Sequence, residues 1–128
     1  MEMEIVFPGE ERVDARVGNL VIETNQDRTA PSPFALFLAS IGTCAGIYVV
    51  QFCRQRGLST EGMRIIQRTH TNRDTRMIER LELDIQVPPE FPEKYHDALI
   101  RSAQLCSVKK HMESPPAFEV FTSVPAGA

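Results

Sequence analysis

Cys44, Cys53 and Cys106 are the side chains in this sequence best suited to chemistry, and their surroundings differ. Cys44 lies in Ser40-Ile-Gly-Thr-Cys-Ala-Gly-Ile-Tyr-Val-Val50, an apolar stretch in which Gly42 and Gly46 flank it. Small residues at that spacing let another backbone or helix approach closely. Cys106 lies in a second helical pattern, where Leu99, Ser102 and Ala103 precede it at spacings that turn it toward the core. Cys53 follows Cys44 on the opposite face of the same helix and reads as packing. Each cysteine also has a plain reading as a small buried hydrophobe. A thiol reacts as its thiolate, which needs stabilising neighbours and a route for substrate. If the two helices pack on one sheet face, Cys44 and Cys106 meet as a dithiol couple. Cys44 stands about three turns from the start of its helix, where the dipole has faded. Its activation is therefore expected from a side chain, an arginine on another element. Periodicity does not select that arginine. His70, His96 and His111 have no ligand spacing to any cysteine, so no metal is expected.

The elements that must position these thiols can be read along the chain. Arg12-Val-Asp-Ala-Arg-Val17, Gly18-Asn19 and Leu20-Val-Ile-Glu-Thr24 spell a hairpin with a Gly-Asn turn. Ser32-Pro33 combines a capping residue with proline at the first helical position, and Gly57 supplies a stop. The helix between them is apolar almost all round and must be covered on most faces. Ala30 to Cys53 carries no charge, yet Pro31, Pro33, Gly42, Gly46 and Gln51 make it only moderately apolar, so a buried central helix is expected over a membrane span. Met63–Thr71 and Arg76–Val87 read as paired strands around Asn72-Arg73-Asp74, with Leu81, Leu83, Ile85 and Val87 alternating against polar residues. A second helix is predicted from about Glu93 to His111, and a last strand over Phe118–Val124. This order predicts an α+β fold with an antiparallel sheet, in a single domain over residues 1–128.

The bulk properties narrow the functions. A net charge of −3 gives no basic footprint for nucleic acid. Three cysteines without CxxC spacing suit neither a disulfide scaffold nor a zinc site. The opening Met-Glu-Met-Glu carries acids where an export signal carries bases, so a reducing, cytoplasmic setting is expected.

Pro31-Ser-Pro-Phe-Ala-Leu-Phe-Leu-Ala-Ser-Ile-Gly-Thr-Cys44 resembles the first-cysteine motif of the OsmC/Ohr family of thiol peroxidases. Ala103-Gln-Leu-Cys-Ser-Val-Lys-Lys-His111 is similar to its second-cysteine segment. The order and separation of the two cysteines fit, over nearly the whole chain, and the wording is closest to a less studied OsmC-like branch. The resemblance implies an intertwined homodimer in which an antiparallel sheet packs on the long central helix and the second helix, with active sites at the subunit interface. It implies Cys44 as peroxidatic nucleophile and Cys106 as resolving thiol, with no cofactor but an external dithiol reductant. The family's activating arginine comes from the early strand region, where Arg12 is the nearest match and Arg16 the second. Its orienting glutamate, just after the helix-opening proline, is absent here, where Phe34 and Ala35 stand.

Two functions are carried forward. One is thiol-dependent reduction of organic hydroperoxides by a Cys44/Cys106 cycle, with Phe34, Phe37, Ile41 and Tyr48 as the expected apolar lining. The other is a catalytically weak dimer of the same fold that binds a small apolar ligand or senses redox state.

Overall fold

The computed structural model describes residues 1–126. Three strands come first: β1 (Glu4–Gly9), β2 (Arg12–Val17) and β3 (Leu20–Thr24), in the antiparallel order β1-β2-β3. Val17 faces Leu20 across the Gly18-Asn19 turn, and Gly18 takes φ +55°, the left-handed conformation such a turn requires. Directly paired residues share a face, so Ile5, Ala15 and Ile22 line one side together with Val13, Val17 and Leu20. Arg12, Asp14, Arg16 and Glu23 line the other. The apolar side is largely uncovered in the protomer: Ile5 is 50% exposed and Leu20 67%.

The long helix α1 (Pro33–Gln55) begins where the sequence places it. Ser32 accepts a hydrogen bond from the Ala35 amide at 3.2 Å, and Pro33 occupies the first turn. Arg56 caps its far end, and Gly57 turns the chain at φ +64°. The polar residues inside it bond back to the helix, Ser40 to the Phe37 carbonyl and Thr43 to that of Ala39. Ile41, Ala45, Val49 and Phe52 form a single buried stripe. The protomer covers less of α1 than its composition demands, because Phe34, Phe37 and Ile47 remain exposed.

Strands β4 (Arg64–Thr71) and β5 (Ile78–Gln86) form a separate two-stranded antiparallel sheet. Ile65, Gln67, Leu83 and Ile85 share the face that meets α1. Arg68, His70, Glu82 and Asp84 lie toward solvent. The antiparallel α+β class therefore holds, with the strands divided between two sheets instead of one.

Two expectations need correction. The predicted second helix is interrupted: a 3-10 turn at Glu93–Tyr95 leads into α2 (His96–Ala103), and a distinct helix α3 (Ser107–Glu113) follows. Cys106 takes φ −47° and ψ 123°, extended values that end one helix and start the next. Neither glycine nor proline marks this break in the sequence. The second correction is the predicted strand over Phe118–Val124, which has no ladder partner in the protomer. Phe118 is 86% exposed and Val120 95%. A strand exists only through a neighbouring edge, and none within the protomer receives this segment.

The core gathers Ala45, Val49, Phe52 and Cys53 of α1 with Phe91, Leu99 and Ala103. Arg56 stacks its guanidinium 3.7 Å from the Phe52 ring centre, closing one end. α1 is long and apolar enough to cross a bilayer by length and composition, and its buried stripe here meets α2 and the two-stranded sheet.

Candidate active site

The break before α3 brings the two cysteines together. Cys106 is buried and its sulfur lies 3.9 Å from the Ile41 carbonyl oxygen of α1, less than one turn ahead of Cys44. Cys44 is half-buried, and its sulfur lies 3.6 Å from the Ser107 hydroxyl. All three cysteines are free thiols.

The pair is electrostatically unequal. The Val108 amide N–H is the strongest influence on Cys44, followed by the Cys106 thiol, and the Ser107 hydroxyl and amide add to them. Against the opposing cost of burial, these donors lower the Cys44 pKa to about 7. Cys106 moves the other way. Burial raises its pKa first, and the neighbouring Cys44 sulfur raises it further. One thiol is thus prepared to ionise while the other keeps its proton and donates it toward the first. Cys53 is fully buried against Met63, with the two sulfurs 3.9 Å apart, and burial raises its pKa. It is a packing residue, as its place on the far face of α1 predicts.

No arginine acts on the Cys44 thiol within the protomer. Arg12 is held on the charged face of the three-stranded sheet. Its Nε and Nη2 donate to the two carboxylate oxygens of Asp14 at 3.1 and 3.0 Å, and Nη2 also donates to Glu23 at 2.9 Å. Asp14 is only 3% exposed, so this carboxylate is the one acid of the group withdrawn from water. Sequence reasoning missed Asp14, Ser107 and the Val108 amide. Alternation along β2 could have paired Asp14 with Arg12, whereas no signal in the sequence places Ser107 and the Val108 amide beside Cys44.

The glycines flanking Cys44 serve β4 instead of another helix. A methyl group at Gly42 would collide with the Gln67 side-chain oxygen, and Gln67 uses its amide nitrogen to reach the Leu38 carbonyl at 2.9 Å. At Gly46 the nearest atom to an added methyl is Ile65 Cδ1, at an ordinary 3.9 Å.

A groove of about 1120 Å³ runs between α1, β5 and the α2–α3 break. Phe34, Phe37, Ile41, Leu83 and Ile100 line it, and it reaches Cys106. Tyr48, expected among the lining residues, is not part of this groove. Arg76, Arg80 and Lys109 stand along it as cations. Among the described residues, no three His, Cys, Asp or Glu side chains cluster in a way that could hold a metal ion.

A long helix presenting one thiol, a broken helix presenting another, and antiparallel sheets around them define an α+β domain with a reduced dithiol site. The chain belongs to the OsmC-like family, whose sequence model, described as OsmC-like protein, matches residues 25–121. No curated protein matches the sequence. Among solved structures, a candidate osmotic stress induced and detoxification response protein from Psychrobacter arcticus 273-4 superimposes with a TM-score of 0.69 at 21% identity, covering 84% of this chain and 85% of the other. An OsmC like protein from Mycoplasma pneumoniae gives 0.67 at 11% identity, over 89% of this chain and 87% of its own. A hypothetical protein from Aquifex aeolicus VF5 gives 0.66 at 18%, with the same coverages of 89% and 87%. At these identities the likeness carries the fold alone.

Proposed function

We propose that this protein reduces organic hydroperoxides through Cys44 and Cys106. The observation that carries the reading is the unequal thiol pair, an acidified Cys44 beside a buried Cys106 that keeps its proton. In the first step the Cys44 thiolate attacks the terminal peroxide oxygen. An S–O bond forms, the O–O bond breaks, and the alkoxide leaves and takes up a proton as the alcohol. The peroxide gains two electrons and the sulfur becomes a sulfenic acid. Cys106 then attacks that sulfur, a disulfide forms, and the hydroxyl departs as water with the Cys106 proton. An external dithiol restores both thiols by exchange, a step suited to the reducing cytoplasm.

The apolar groove that includes Cys106 in its lining supports a hydrocarbon-bearing peroxide over hydrogen peroxide. The uncovered apolar face of the three-stranded sheet and the exposed side of α1 support a homodimer. In that dimer Arg12 of a second copy is the proposed activating cation, already oriented by Asp14 and Glu23.

A second reading has its own support in the size of the groove. A weakly catalytic dimer would hold a small apolar ligand there, or report redox state through the cysteine pair. Steady-state consumption of cumene hydroperoxide with dithiothreitol separates the two. Turnover with disulfide formation at Cys44 and Cys106 sustains the peroxidase. Absence of any stoichiometric oxidation of Cys44 passes the assignment to the binding reading.

A further inference from the structure

Ser107 follows Cys106 directly and stands beside the thiol pair. It is the first residue of α3, where the Cys106 side chain makes no capping bond, and its hydroxyl lies 3.6 Å from the Cys44 sulfur. Among the described residues that hydroxyl has no other hydrogen-bond partner. Its backbone is fixed as well. The His111 ring donates from Nδ1 to the Ser107 carbonyl at 2.7 Å, one turn along the same helix. Ser107 is exposed whereas Cys106 is buried, so the hydroxyl is the solvent-accessible polar group beside the Cys44 sulfur.

We propose that Ser107 is a catalytic residue of this site, its hydroxyl donating a hydrogen bond to the Cys44 thiolate and aiming it at the incoming peroxide oxygen. The inference rests on Cys44 being the nucleophile. A serine hydroxyl serves either state of the sulfur, accepting from the thiol and donating to the thiolate. Donation to an anion is worth more than donation to a neutral group, so the contact favours ionisation. The groups acting on Cys44 are the Cys106 thiol, this hydroxyl and the amides of Ser107 and Val108, with no charged side chain in the protomer. Within the protomer the hydroxyl therefore supplies part of the anion stabilisation that no arginine provides.

The test follows Cys44 alkylation by iodoacetamide in the full-length reduced protein, peptide by peptide, from acid to alkaline pH. This measurement needs no peroxidase activity. Ser107→Ala should move the midpoint of the profile upward and slow alkylation below that midpoint by about threefold to tenfold, leaving the alkaline plateau in place. Ser107→Thr, which keeps a hydroxyl, should restore the parent profile. Alanine is well tolerated at a helix start, so the variant is expected to fold. An unmoved midpoint in Ser107→Ala overturns the proposal. So does a lowered plateau with the same midpoint, which would make Ser107 a matter of access. If the parent protein consumes no hydroperoxide, the peroxidase reading falls, and the same profile still decides whether Ser107 holds the thiolate.

Discussion

The Cys44 sulfur sits 3.6 Å from the hydroxyl of Ser107, the residue that immediately follows Cys106. One helix break therefore serves two purposes. It buries the Cys106 thiol against α1, and it turns the first amides of α3 toward the other thiol. The acidity of Cys44 is a product of backbone placement more than of any charged side chain.

That acidity predicts a pH profile. The thiolate is the reactive form, so alkylation of Cys44 should accelerate as pH rises and reach half its maximum at about 7. One pH unit below the midpoint, about a tenth of the sulfur is ionised and the rate should fall accordingly. Cys106 and Cys53, whose pKa values are raised, should label more slowly at neutral pH. Mass spectrometry of the three cysteine peptides measures all of this in one experiment.

The roles of the two thiols separate in variants. Cys44→Ser should abolish hydroperoxide consumption, because serine offers no comparable anion at neutral pH. Cys106→Ser should permit one stoichiometric oxidation and then stop turnover, since the sulfenic acid lacks its partner. Rapid-mixing peroxide assays and intact-mass detection of the sulfenic acid check both outcomes.

Gly42 and Gly46 should respond differently to alanine. Gly46→Ala has room beside Ile65 and should gain up to about 1 kcal/mol from helix propensity. Gly42→Ala must displace Gln67 and forfeit its bond to the Leu38 carbonyl, a loss of about 1 kcal/mol that cancels the gain. Urea denaturation of the two variants should show stabilisation for Gly46→Ala alone.

The uncovered apolar surfaces predict association. Light scattering should give twice 14.4 kDa. Leu20→Asp, on the exposed apolar face of the hairpin, should shift the protein toward monomer by burying a charge at the contact. A monomer for the parent protein at micromolar concentration would contradict the dimer.

Arg12 has no influence on Cys44 within one chain, so its proposed role requires a second copy. Arg12→Ala should slow Cys44 alkylation at neutral pH in the dimer, while Arg16→Ala leaves it unchanged. Identical profiles for Arg12→Ala and the parent protein would remove Arg12 from the site and leave the thiolate to its backbone and hydroxyl donors.

Local chemistry made much of this protein legible from its sequence. Ser32-Pro33 and Gly57 bound α1 because capping and turn preferences act over a few residues. The Gly18-Asn19 hairpin and the alternation in β5 were readable for the same reason, as was the packing role of Cys53 on the far side of the helix. The second-helix break was not readable, since Gln104-Leu105-Cys106 contains no breaker and the chain turns there to pack Cys106 on α1. Nor was the fate of Phe118–Val124 readable, because β propensity records what a segment can pair and only a neighbouring edge decides whether it does. The sequence determined which thiols were available. The tertiary structure decided which of them is acidic, because that depends on amides and a hydroxyl more than sixty positions away from Cys44, close in space only once α3 docks on α1.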